Sequence, residues 1–289
     1  MPDNTTGNSI DALLPADIAR KAELLGAQKT HLPAIKLLTL AILGGAFIAL
    51  GAMFATTVLA GANGTIPFGV ARLIAGMVFS LGLILIVLGG AELFTGNALM
   101  IMALASRKVG IVALARAWGI VYLGNFIGAV GMAVLVYLAG QYHLGDGAVG
   151  RTALVIAHDK MALGFAEAFF RGILCNLLVC LAVWLALGAH STTDKVLAVI
   201  FPVSAFVVAG FEHSVANMYL VPFGMLIEAS MLVEASGNAQ SWLPPDTAPI
   251  LLLDFFLGLI PVTLGNIVGG GFLVGGIYWF VYLRDGPDR

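Results

Sequence analysis

Charge is the scarce commodity of this sequence. Only 10% of its 289 residues are charged, 14 Lys and Arg against 16 Asp and Glu, where a soluble domain carries about 25%. The net charge is -2 and no run of Lys and Arg occurs, so nucleic acid is excluded as a partner. Cysteine is nearly absent: Cys175 and Cys180 lie in one apolar stretch, about 140° apart around a helix, and read as unpaired packing residues. No zinc-type H-E-x-x-H spacing is present, and neither a metal nor a cofactor is implied. The first 34 residues lack the basic start and apolar run of a signal peptide, carrying Asp3, Asp11, Asp17 and Glu23 instead. The N-terminus is therefore expected to stay attached and cytoplasmic.

What the sequence has in excess is hydrophobic residues, 60% of the chain. They fall into six apolar segments, 35–60, 70–105, 111–139, 161–187, 196–227 and 250–283. Each exceeds the roughly 20 helical residues that cross a bilayer. An all-α polytopic membrane protein follows, with an N-terminal segment 1–34, a six-span channel domain 35–283 and a short tail 284–289. The second and fifth segments are too long for one straight helix, at about 54 and 48 Å, and too short for a comfortable double crossing. Each reads as a broken helix. With both ends cytoplasmic, ten of the 14 Lys and Arg lie on the inner side, the exceptions being Arg72, Arg151, Lys160 and Arg171. That distribution favours this topology in a cell (inner) membrane over its inverse. Ahead of the first span, Pro15 starts an expected short helix with apolar residues at 14, 18, 22 and 25, either a passive surface anchor or a lid over a pore mouth.

The chain is duplicated. Residues 90–97 and 210–217 share G-x-E-x-x-x-x-N, and Leu123-Gly124-Asn125 with Gly128 matches Leu264-Gly265-Asn266 with Gly269. Two matched pairs in one order predict two three-span halves, the second inverted because three crossings are odd. The first motif falls mid-span in both halves. Unwound backbone at that depth is tolerated only where protein buries it or it lines a cavity, so the breaks mark a pathway. Thr95 and Asn97, and Ser214 and Asn217, are expected to cap the half-helices that follow. Helix starts pointing at the midplane favour an anion, unlike the carbonyl or carboxylate rings of a cation pore.

Of five histidines only His213 lies mid-membrane, where an imidazole is either a satisfied packing residue or a group that meets a weak-acid anion and shares its proton. Glu92 and Glu212 are either an acidic pair for proton or cation transport or, more in keeping with their symmetry, carboxylates that receive backbone N–H bonds and hold the turns. Arg171 pairs with Glu167 four residues away. Asn176 either faces the pathway or bonds helix to helix. Phe79, Leu83, Leu93, Phe94, Val179 and Phe206 are ordinary packing or hydrophobic constrictions that exclude hydrated ions.

These residues resemble the formate/nitrite transporters across nearly the whole chain, most specifically at 92–95, 175–184, 210–218 and 264–266. The resemblance implies an aquaporin-like fold assembled as a homopentamer, each protomer with its own pore. It makes His213 the central histidine and Thr95 its facing hydroxyl. It implies one constriction of Phe79, Leu83 and Phe206 and another of Leu93, Phe94 and Val179, with Lys160 at the outer entrance. Asn176 becomes a pore-lining asparagine, Glu212 and Asn217 the turn around the histidine, and the N-terminal helix an occluding segment. Gly96 and Phe169-Phe170-Arg171-Gly172 look like the nitrite branch, whereas Leu13-Leu14-Pro15 and the run 202–222 look like formate channels. Formate is the expected substrate, with nitrite and then hydrosulfide as alternatives. Desolvation raises a carboxylate pKa from about 4 by roughly 3 to 5 units, into the range of a histidine. The proton then either returns, giving a channel, or leaves with the substrate, giving proton symport. An intramembrane enzyme built on Glu212, His213 and Ser214 is the rival class, but adjacent residues on one turn rarely point at each other. A water channel of this fold usually carries Asn-Pro-Ala at both breaks, which is absent here.

Overall fold

The computed structural model describes residues 12–62, 64–233, 242 and 248–285, and among them every regular element is helical. In chain order these are α1 (Pro15–Thr30), α2 (Ala34–Leu59), α3 (Phe68–Gly89), a 3-10 turn Gly96–Met100 leading into α4 (Ile101–Ala105), α5 (Ile111–Leu138), a 3-10 turn Gln141–His143, α6 (Ala148–Met161), α7 (Phe165–Gly188), α8 (Thr192–Ala209), α9 (Ser214–Val233), α10 (Leu252–Asn266), a π-helical stretch Ile267–Gly276 and α11 (Ile277–Tyr282). Among the described residues six helical spans are long and apolar enough to cross a membrane, the sixth running from Leu252 to Tyr282. The protein is an all-α, multi-pass membrane protein of two inverted three-span halves.

Both long segments break as the duplicated motif predicts, and the cause is its first residue. Gly90 ends α3 at φ 78° and Gly210 ends α8 at φ 72°. That left-handed conformation stops a helix and costs glycine little. The halves are built alike: α2 packs on α3 and α5, and α7 packs on α8 and α10. Small residues let the backbones meet. A Cβ on Gly128 would run into the Ile42 carbonyl, and one on Gly269 into the Ile173 carbonyl. Close backbone approach of this kind is how helices associate where lipid removes the hydrophobic drive. No sequence pattern marks the π-helical stretch; its Gly270 faces the Asn176 amide and the Cys180 sulfur, with no room for a side chain.

Helix α1 starts at Pro15, as its sequence predicts, but it packs on protein. Ile18, Ala19 and Ala22 are buried with Met102 and Trp184, whereas Leu14, assigned to the same apolar stripe, is 69% exposed. Lys108 pairs with the buried Glu23 of this helix, and Lys21 donates to the Leu187 carbonyl. Burial and the neighbouring Lys195 both hold the Lys21 ammonium below its ordinary pKa. Residues 1–11 and 286–289, the ends of the N-terminal segment and of the tail, lie outside the described residues.

Candidate anion pathway

The two breaks meet at the centre of the protein. Thr95 and His213, both buried, come together across them, Thr95 Oγ1 lying 3.1 Å from His213 Nε2. The Ala216 N–H donates to His213 Nδ1 at 3.1 Å. A backbone N–H can only donate, so Nδ1 is an acceptor, the ring is neutral, and its proton sits on Nε2 facing Thr95. The Thr95 hydroxyl accepts that bond and keeps its own proton to offer elsewhere.

This geometry corrects the capping expectation. His213 itself caps α9 through Ala216, while Ser214 Oγ has no partner. Asn97 and Asn217 serve the carboxylates: each donates its amide to the motif glutamate five residues earlier, Glu92 or Glu212, at 2.8 Å. The glutamates in turn bind lysine rather than backbone N–H groups. Lys29 Nζ lies 2.9 Å from Glu92, and Lys160 Nζ lies 3.0 Å from both Glu212 oxygens. Each half therefore carries a Lys-Glu-Asn cluster, with the lysine supplied by the helix preceding that half, α1 or α6.

Two asparagines from the second repeated motif hold the breaks open. Asn125 accepts from the Phe94 N–H and donates to the Glu92 and Ala41 carbonyls; Asn266 accepts from the Ser214 N–H and donates to the Glu212 and Gly172 carbonyls. Backbone groups unwound inside a membrane need such partners. The repeat of L-G-N marked these residues in the sequence without disclosing their task. Asn176 follows the bonding reading. It is fully buried and donates to the Thr95 carbonyl at 3.1 Å and the Asn266 carbonyl at 2.6 Å, locking the two breaks together. The Cys180 thiol donates to the same Thr95 carbonyl, and Cys175 is likewise free and buried.

A cavity opens on either side of this centre. One, of about 220 Å³, is lined by Phe79, Phe206 and His213 and by Arg72, Lys160, Arg171 and Glu212. The Phe79 and Phe206 rings meet edge to face with centroids 5.6 Å apart. The other, of about 350 Å³, lies at α1 and is lined by Lys21, Lys29, Lys195 and Glu92 and by Leu83 and Leu93. Leu83 lines this second cavity, and Phe79 and Phe206 line the first. Phe94 and Val179 are buried and line neither; the Phe94 ring packs on Trp118 and Tyr122. The expected Arg171–Glu167 ion pair is present. Lys29, which no local pattern signalled, is 63 residues from Glu92 in sequence.

Known proteins resemble this chain over most of its length. The family profile described as Formate/nitrite transporter matches residues 16–280. The formate channel FocA of Escherichia coli (strain K12) is 43% identical over 282 residues, covering 96% of this chain and 97% of that protein. Among solved structures, a pentameric formate channel with formate bound is 41% identical with a TM-score of 0.79, covering 87% of this chain and 98% of that one. An FNT family ion channel is 28% identical with a TM-score of 0.76, covering 91% and 98%.

Proposed function

The chain belongs to the formate/nitrite transporter family, and from that premise we propose that it carries small monovalent weak-acid anions, formate foremost, through one pore per protomer of a homopentamer. Nitrite is the second reading, favoured by Gly96 and by the sequence Phe169-Phe170-Arg171-Gly172. The membrane is the cell (inner) membrane, with both termini cytoplasmic, in keeping with the Lys and Arg distribution.

The observation that carries the proposal is the contact of Thr95 with a neutral His213 between two cation-lined cavities. An anion drawn in by Lys160 passes Phe79 and Phe206, sheds water and meets the free Thr95 hydroxyl proton. Nε2–H of His213 polarises that hydroxyl, and the nearby start of α9 adds positive potential. Desolvation makes the anion more basic, so it takes a proton that enters from the aqueous cavity and is relayed through Nε2 of His213 and the Thr95 hydroxyl, which leaves both groups as they were, and it crosses as a neutral acid. Return of that proton gives an anion channel, and its departure with the substrate gives proton-linked uptake. An enzyme on Glu212, His213 and Ser214 finds no support: Glu212 is engaged by Lys160 and Asn217, and Nδ1 of His213 by Ala216.

Replacing Thr95 with Val keeps the shape and removes the hydroxyl. One hydrogen bond to a charged group contributes about 1.5 to 3 kcal/mol, so formate flux in reconstituted vesicles should fall roughly ten- to a hundredfold while assembly survives. Unchanged uptake would remove Thr95 from the mechanism.

We also propose that α1 is the lid of the larger cavity, since Lys21, Leu25 and Lys29 form its outer wall. Deleting residues 1–30 removes no span but strips Glu92 of its lysine, so flux measured at pH 5 and pH 7.5 should lose the full chain's pH profile. Identical profiles for the two proteins would mean that α1 is a passive anchor.

A further inference from the structure

Resting on that reading and deepening it, we infer that the smaller cavity holds a separate anion site at Arg72, selective for planar anions that present two oxygens on one atom. Arg72 lies in α3 and Arg171 in α7, and both line this cavity. Their guanidiniums converge on the last turn of α8: Arg72 Nη2 donates to the Val207 carbonyl at 2.6 Å, and Arg171 Nη1 to the Gly210 carbonyl at 3.4 Å. The negative end of the α8 dipole suits both. Their charges are balanced differently. Lys160 has Glu212 and Arg171 has Glu167, but Arg72 has no carboxylate within ion-pair distance among the described residues. Its Nε is buried without a partner and its Nη1 bonds nothing described. Asp159, the remaining acid in the lining, is exposed at the mouth.

A half-buried cation inside a span without a counter-ion is costly unless it takes one from the cavity it faces. Nη2 keeps one N–H beyond the one that the Val207 carbonyl takes, and together with Nη1 it can present two parallel N–H groups to an anion. Formate and nitrite match that fork with both oxygens; hydrosulfide and chloride have one centre and do not. The site stands before Phe79 and Phe206, so planar anions are enriched there before they lose water. The cations of the opposite cavity are all ammonium groups, Lys21, Lys29 and Lys195, with Glu92 beside them. These are point charges without a fork, and no such enrichment occurs on that side.

The test uses the full chain in liposomes, with half-saturating concentrations measured for formate, nitrite and hydrosulfide. Arg72→Lys keeps the charge and removes the fork. It should raise the values for formate and nitrite about tenfold, the difference between a bidentate and a single charged hydrogen bond, and leave hydrosulfide within about twofold. An equal rise for all three anions, or no rise, overturns the site. Binding of ¹³C-formate to the unmodified protein gives a check that needs no folded variant: nitrite should displace it and hydrosulfide should not, and equal displacement overturns the proposal. The two readings separate cleanly. Arg72-dependent formate binding with no anion crossing sinks transport and leaves this site, whereas formate flux indifferent to Arg72→Lys sinks the site and leaves transport.

Discussion

His213→Asn should keep anion entry and lose its link to pH, whereas His213→Phe should stop formate. The geometry separates the two roles of the ring. Nδ1 caps α9 by accepting from Ala216, and Nε2–H faces Thr95. Asn is among the best helix caps, so its oxygen replaces Nδ1 while its amide remains a donor on the Thr95 side. What Asn cannot do is titrate. Proton-linked formate uptake at acidic pH should therefore collapse in the Asn variant, leaving an uncoupled anion current. Phe supplies neither cap nor donor. Losing the cap costs about 1 kcal/mol and losing the donor chain to a charged anion about 1.5 to 3 more, so formate flux should drop on the order of a hundredfold. Uptake that still follows an imposed pH gradient in the Asn variant would show that another group exchanges the proton.

The split between cap and donor also shows what the sequence could and could not disclose. The spans were legible because each needs some 20 apolar residues whatever its neighbours do. The breaks were legible because Gly90 and Gly210 begin the same motif in both halves. Who caps and who pairs was not, because short polar residues near a helix start compete for the same N–H groups. Thr95 and Asn97 looked equivalent to caps, yet one bonds the imidazole and the other a carboxylate. The partners of Glu92 and Glu212 were hidden for a different reason. Their lysines sit on α1 and α6, outside the repeated motifs, and only folding brings Lys29 and Lys160 to equivalent places. The charge balance that isolates Arg72 is likewise a property of three helices together and of no single stretch.

A single methyl group placed at the repeated glycines should do more damage than any change at the Thr95–His213 contact. Gly128 and Gly269 close the two L-G-N-x-x-G motifs, and each lies against a backbone carbonyl of the first helix of its half, Ile42 in α2 and Ile173 in α7. A carbonyl cannot rotate away as a side chain can, so the new Cβ must push whole helices apart. Overpacking of this kind costs about 1 to 3 kcal/mol where side chains can adjust, and more where backbone is the obstacle. The displacement would carry Asn125 and Asn266 with it, about one turn away in the same spans, and release the bonds that hold Phe94 and Ser214. Gly128→Ala and Gly269→Ala should therefore lose most of the folded protein on size-exclusion in mild detergent. Gly69→Ala, where a Cβ meets nothing within 4 Å, should match the unmodified protein. If all three alanine variants elute alike and melt within about 2 °C of one another, the close backbone approach is not what holds the helices of each half together.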